Sequence, residues 1–262
     1  METIEARSIF SQATGYIRRG GFRWTCNPYL GCTFGCSYCY AMFLPQNRRP
    51  RDQWGRWLVV KRNAIALAEK HGCRVADQPL YMSSVTDPYV PAERTLGLTR
   101  GILQALVAYQ PRLLVQTRSP LVARDSDVLA CFARVRVHMT IPTDCERIRS
   151  LFEPKAPPLR ARWQALQCLK QAGLPVGICL APLLPVADVH RFAETIARLD
   201  PQVVVVQDFH DAGGKPGADT GDRARHLLRQ LHWTRDDYQR TVEILSRSLV
   251  LFQGEAGFFP PA

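Results

Sequence analysis

The chain has 262 residues, 46% of them hydrophobic, enough for one sizeable core and too apolar for disorder as a default. Its formal net charge of +11 comes from 29 arginines and five lysines, spread along the whole chain rather than gathered in a tail. No run approaches the ~18 apolar residues of a membrane span, and residues 1–14 lack a continuous apolar segment, so no membrane partner and a cytoplasmic location are expected.

In chain order, residues 22–29 read as a strand leading into a cysteine-rich loop. Residues 62–71 are Ala/Leu-rich and helical, with Gly72 as a stop. An apolar run at 80–84 precedes helical periodicity over 93–109, a strand at 112–116 and a helix near 125–134. A strand at 136–141 leads to a Pro-rich turn at 153–158 and a helix ending at Ala172-Gly173. A strand at 176–180, a helix at 189–199 and the valine-rich run 202–207 complete the alternation, the last reading as a buried parallel strand. Six βα units in strict alternation predict a parallel sheet with right-handed crossovers. Helices at 222–229 and 235–249 have no evident strand partner and are expected to cap the sheet. The chain reads as one domain over 1–262, with a core at about 22–210 and a helical cap at about 211–262.

The cysteine loop, Gly31-Cys32-Thr33-Phe34-Gly35-Cys36-Ser37-Tyr38-Cys39-Tyr40, packs three thiols into eight positions. Thiolates are the soft ligands of iron–sulfur clusters, and a cube held by three of them keeps one iron open for chemistry. A zinc site is the alternative, although structural zinc wants four closed ligands and only Cys36 and Cys39 form a CxxC pair. A disulfide framework does not suit nine cysteines in a chain of this size without a secretory signal. Polar residues gather where strands end: Ser83, Ser84, Thr86 and Asp87, then Thr117, Arg118 and Ser119, then Thr140 and Thr143. In α/β barrels chemistry sits at those C-terminal strand ends.

The CxxxCxxC spacing, with an aromatic residue before its last cysteine, resembles the cluster motif of the radical S-adenosylmethionine (SAM) enzymes. Further blocks resemble that superfamily's spore photoproduct lyase-like, or DNA repair photolyase-like, branch. They are Asn27-Pro28-Tyr29, Cys39-Tyr40-Ala41, Ser84-Val85-Thr86-Asp87-Pro88-Tyr89, Thr117-Arg118-Ser119, Arg124-Asp125, Glu153-Pro154, Ala172-Gly173 and Ala181-Pro182. The resemblance implies a partial (β/α)6 TIM-like barrel, a [4Fe–4S] cluster on Cys32, Cys36 and Cys39, and SAM on its open iron. It implies reductive cleavage of SAM to a 5′-deoxyadenosyl radical, driven by an external electron donor of the flavodoxin or ferredoxin type. It assigns the adenine of SAM to Tyr38 and Ala181, its amino-acid end to Thr86 and Arg118, and its ribose to Thr140. Local alternatives are a turn at Thr86-Asp87 and a surface ion pair for Arg118.

One departure bears on the reaction. The position at which spore photoproduct lyase carries its hydrogen-returning cysteine is Ser84 here, and the strong O–H bond of serine makes it a poor hydrogen-atom donor. Tyr40, Ser84 and Cys179 are the candidate catalytic residues, Cys179 being equally readable as a small buried hydrophobe. The expected substrate is a nucleobase or DNA lesion, in keeping with the resemblance and the basic charge. The arginines at 48–56, interleaved with Trp54 and Trp57, are a candidate contact to DNA or RNA, or a loop pinned by its tryptophans. The alternatives are a radical SAM enzyme acting on a peptide or small metabolite, and a non-catalytic iron–sulfur protein that binds nucleic acid.

Overall fold

The computed structural model describes residues 1–47, 49–212 and 218–262, so Arg48 of the arginine cluster lies outside the described residues. The elements begin with β1 (Glu2–Ile4), β2 (Phe10–Gln12), α1 (Gly15–Arg19), β3 (Trp24–Cys26), β4 (Tyr29–Gly31), β5 (Leu58–Lys61) and α2 (Ala64–His71). They continue with β6 (Pro79–Met82), α3 (Glu93–Leu96), α4 (Leu98–Leu106), β7 (Arg112–Thr117), α5 (Ser126–Leu129), β8 (Val135–Thr140), α6 (Glu146–Phe152) and α7 (Leu159–Gln171). The last are β9 (Val176–Leu180), α8 (Val189–Leu199), β10 (Val203–Val206), α9 (Asp222–Gln230), α10 (Arg235–Ser246) and β11 (Leu251–Gln253).

The six strands expected to run parallel do so, neighbour to neighbour in chain order, within an eight-stranded sheet ordered β11-β10-β9-β8-β7-β6-β3-β2. Strand alternation sorts side chains onto two faces. Leu80 and Met82, Leu113 and Val115, Val137 and Met139, Ile178 and Leu180, and Val204 and Val206 share one apolar core with α2, α4, α7, α8 and α10. Burial of each large apolar side chain there contributes about 1.5–3 kcal/mol. The intervening residues, among them Tyr81, Gln116, Arg118, Thr140 and Ala181, face the other way and line a cavity.

Three expectations change. The strand over 22–29 breaks after Cys26, and Tyr29–Gly31 joins a separate three-stranded sheet ordered β1-β5-β4. Pro28, which has no N–H to donate, sits between the two pieces. The helix over 93–109 is cut at Gly97, whose left-handed backbone (φ +62°) separates α3 from α4. The C-terminal segment is not a purely helical cap: α10 packs against α8 and leads to β11, which pairs in parallel with β10. From the described part of that segment, α9 lies over the cysteine loop, where Ala224, Leu227 and Leu228 pack in the cluster that holds Cys32, Cys36 and Tyr38.

Candidate active site

A cavity of about 440 Å³ opens on the inner face of the large sheet. Cys32, Cys36, Cys39, Tyr38, Tyr40, Ser84, Thr86, Arg118, Thr140 and Ala181 all line it. These residues span 150 positions of sequence and come together because strands β6 to β9 end at one rim. Cys179 does not line it. Its thiol is buried beneath the wall, 3.4 Å from His138 Nδ1, among Tyr81, Val205 and Phe258. Ser119 and Thr143 are also absent from the lining: Ser119 Oγ accepts from Leu121 N at the start of a helical turn, and Thr143 Oγ1 donates to Pro185 O at 2.6 Å.

The cysteine loop follows β4 and turns through two left-handed glycines. A Cβ on Gly31 (φ +73°) would meet the Trp57 ring at 2.4 Å. Gly35 (φ +63°) faces Gly55, where the two backbones touch, so only glycine fits. Cys32 and Cys36 are buried and Cys39 is half-buried. Burial pushes all three thiols up to about 12, so thiolates there require a compensating positive charge. Among the described residues no His, Cys, Asp and Glu side chains are grouped as a site for a single metal ion.

One compensating charge is Arg118. Its guanidinium donates to the Cys36 thiol, lies 3.6 Å from Glu153 Oε1 and sits 5.8 Å from the centre of the Tyr38 ring. Burial opposes its charge, but Cys36, Tyr38, Glu153 and Asp87 hold it well above the ordinary arginine value. Asp87 anchors its backbone, accepting from Arg118 N at 3.0 Å, Thr117 Oγ1 at 2.6 Å and Tyr89 N at 2.9 Å. Arg118 is therefore braced inside the cavity wall and is not a surface ion pair. The Thr86 hydroxyl donates to Gly31 O and so ties the end of β6 to the cysteine loop. Thr140 Oγ1 is buried with no partner among the described residues, an orphaned polar group in the wall.

Two parts of the frame carried no role in the sequence reading. Glu153 is fully buried: Tyr38 OH and Arg162 donate to its two carboxylate oxygens, and Arg162 also donates to Thr140 O at 3.0 Å. Burial works against its ionisation, yet Arg162 and Arg118 hold its pKa below the ordinary glutamate range. Asn27 Oδ1 accepts from Ser83 Oγ at 2.7 Å, Ser84 N at 2.9 Å and Val85 N at 3.1 Å, fixing the loop after β6. Both residues lie in blocks the sequence singled out, Asn27-Pro28-Tyr29 and Glu153-Pro154. Tyr40 OH donates to Ser84 O at 2.7 Å, joining two of the candidate catalytic residues.

Two arginines of the arginine-rich loop, Arg49 and Arg51, are engaged within the fold. Arg49 stacks 4.9 Å from the Trp57 ring and pairs with Glu2, Arg51 lies 4.5 Å from the Phe43 ring, and Trp54 meets Trp57 edge-on.

No family model matches the chain. It is 33% identical over 165 residues to an uncharacterized protein of Methanocaldococcus jannaschii, covering 63% of this chain and 62% of that protein. It is 31% identical over 185 residues to an uncharacterized protein of Acidianus two-tailed virus, covering 65% and 61%. The chain thus spans about three-fifths of the length of these curated relatives. Among solved structures it is similar to spore photoproduct lyase complexed with dinucleoside spore photoproduct, with a TM-score of 0.63 and 15% identity over 96% of this chain and 81% of that one. It is also similar to SuiB of Streptococcus suis bound to S-adenosylmethionine, with a TM-score of 0.51 and 11% identity over 87% and 49%. The parallel sheet with its inner-face cavity is thus the fold that spore photoproduct lyase and SuiB also have.

Proposed function

We propose that the chain is a radical SAM enzyme whose sheet forms a partial (β/α)6 barrel around a substrate from the nucleobase or nucleic-acid lesion class. The observation that carries this reading is the convergence of three cysteines, Arg118, Thr86, Thr140 and Ala181 on one cavity. The donor set fits the cofactors: three thiols suit a cube with an open iron, a braced guanidinium suits a carboxylate, and an orphaned hydroxyl suits a ribose. When bound, cluster and SAM supply a carbon radical, made by reductive cleavage of SAM, that abstracts hydrogen from substrate.

The chain's own part is to bind, orient and exclude water. Cys32, Cys36 and Cys39 would hold the cluster. Arg118, kept charged by Glu153 and Asp87, would grip the methionyl carboxylate, and Thr140 and the backbone at Tyr38 and Ala181 the nucleoside. Thr86 would fix the cysteine loop through Gly31 O as it borders the amino-acid end. Tyr40 and Ser84 border the space left for substrate. Lys61 lines the same cavity and has no carboxylate partner among the described residues; burial lowers its pKa. An anionic substrate group such as a phosphodiester would supply the missing counter-charge, which favours a nucleotide-like substrate over a neutral metabolite.

The test is anaerobic reconstitution followed by chromatographic assay of 5′-deoxyadenosine from SAM and reductant, with and without oligonucleotides. Production stimulated by DNA or RNA supports the reading, production stimulated only by peptide transfers it to the peptide-modifying alternative, and no production leaves an iron–sulfur binding protein.

A further inference from the structure

Gln116 lines the cavity and has no part in the account so far. It precedes Arg118 by two residues on β7, and strand alternation sends both side chains to the same face. It therefore sits about 7 Å deeper along the strand than the arginine given to the methionyl carboxylate. Tyr81 OH donates to Gln116 Oε1. Burial holds the Tyr81 phenol well above its ordinary pKa, so it keeps its proton, and among the described residues that proton has no other acceptor. The tyrosine thus decides which way the carboxamide faces: its oxygen is tied to the wall, and its N–H groups are left for the cavity. Gln116 Nε2 has no partner among the described residues. Gln207, also in the lining, is tied alike by Tyr16 OH at 3.1 Å, but its Nε2 lies 3.4 Å from His210 Nε2 and is engaged. Tyr81, Phe258 and Tyr16 form a run of ring contacts beside these amides, with centroids 6.5 Å and then 5.7 Å apart. The surroundings of Gln116 are thus aromatic, with one oriented and unsatisfied amide donor.

We propose that Gln116 is a specificity-determining residue, whose carboxamide N–H donates to a ring carbonyl of the substrate and so selects an oxo-bearing base over one that presents an amino group there. The inference deepens the proposed function and rests on it, because it takes the substrate to be a nucleobase. An apolar pocket with a few placed polar groups binds by its walls and discriminates by those groups. A ring carbonyl would meet the free N–H of Gln116. An amino group at the same place would set donor against donor and leave both unmet, which is the costly case for a desolvated polar group. Tyr81 is the positioning residue, since it prevents the carboxamide from turning its oxygen to the cavity and accepting from an amino group instead.

The test titrates the cluster-loaded full chain, with SAM and without reductant, by calorimetry, so that nothing turns over. The probes are two dinucleotides of equal charge, deoxyuridylyl-deoxyuridine and deoxycytidylyl-deoxycytidine, whose bases carry a carbonyl and an amino group respectively at ring position 4. The unmodified protein is expected to bind the uridine dinucleotide about tenfold more tightly, the scale of one hydrogen bond made rather than left unmet. Gln116→Leu should bind both alike. Gln116→Glu, which still accepts from Tyr81 and turns an acceptor to the cavity, should reverse the preference, a change that a purely structural role would not produce. Tyr81→Phe, which frees the carboxamide to turn, should narrow it. Equal binding of the two dinucleotides by the unmodified protein, or an unchanged preference in Gln116→Leu, would overturn the role of Gln116 and leave the proposed function standing. Binding of neither dinucleotide would overturn it together with the nucleobase reading, and 5′-deoxyadenosine production then shows whether the enzyme reading survives. If no cluster assembles, the proposed function fails, and the same titrations on the cluster-free chain decide for or against Gln116 by the same preference.

Discussion

Arg118 bridges the Cys36 thiol and the buried carboxylate of Glu153, with its guanidinium 3.6 Å from Glu153 Oε1. A positive charge is thus built into the wall between the cysteine loop and the core, and its counter-ion lies on the side away from the cavity. Such a charge is free to accept an anionic ligand from the cavity without abandoning its own partner. Replacing Arg118 by Ala is expected to weaken SAM binding by about 1.5–3 kcal/mol, the range for a hydrogen bond to a charged group. That is roughly a 10- to 150-fold rise in Kd, read by calorimetry on the cluster-loaded protein. Unchanged affinity with a lowered thermal midpoint would make Arg118 a structural brace only.

Glu153 balances two cations, the buried Arg162 and the half-buried Arg118, and accepts from Tyr38 as well. Removing one partner of a buried pair typically costs about 3–5 kcal/mol. Glu153→Gln should therefore lower the thermal midpoint by roughly 10 °C. Its pH dependence has a definite sign. The carboxyl pKa is lower folded than unfolded, so its stabilisation is complete above the ordinary glutamate value and is lost as pH falls toward the folded value. Denaturation curves for Glu153→Gln should be flatter than those of the unmodified protein across that acidic window. Equal slopes would mean that Glu153 is not a charged hub.

Asn27 fixes the loop that presents Ser84 and Thr86 to the cavity by accepting three hydrogen bonds on one oxygen. Asn27→Ala leaves those donors unmet and should cost about 2–3 kcal/mol in urea denaturation. Asn27→Asp, which keeps the acceptor, should recover part of the loss. If Ala and Asp variants are equally destabilised, the three bonds are not what fixes the loop.

The parallel sheet was legible because each inner strand is a short β-branched or apolar run bounded by turn residues, as in Val176–Leu180 and Val203–Val206. β11 was not, since three residues, Leu251–Gln253, carry no usable period. The break at Gly97 was hidden by helical periodicity on both sides of it. Within α4 the Thr99 and Arg100 amides are met by the Glu93 carboxylate, a tertiary solution that spacing alone does not disclose. The cysteines and the strand-end polar residues stood out through local motifs. The Glu153–Arg162 pair and its reach to Tyr38, 115 residues away, did not, because a buried ion pair is fixed by three-dimensional packing.

The hydroxyl at Ser84 and the burial of Cys179 beneath the wall leave no cysteine thiol in the cavity besides the three cluster candidates, among the described residues. Spore photoproduct DNA is therefore expected to be turned over poorly even while SAM is cleaved. Ser84→Cys should raise the yield of repaired thymines from a spore photoproduct dinucleotide. Rapid multiple turnover by the unmodified protein would require another hydrogen donor, with Tyr40 the first to replace.

The central claim is that Cys32, Cys36 and Cys39 hold a [4Fe–4S] cluster with one iron open to SAM. EPR of the reduced, anaerobically reconstituted protein, recorded before and after SAM addition and paired with iron and sulfide analysis, tests it most directly. The account predicts one cluster per chain, a signal that changes when SAM binds, and loss of that signal in Cys36→Ala but not in Cys168→Ala, whose thiol is exposed on α7. Stoichiometric zinc without a cluster signal, or a cluster signal indifferent to SAM, would contradict it.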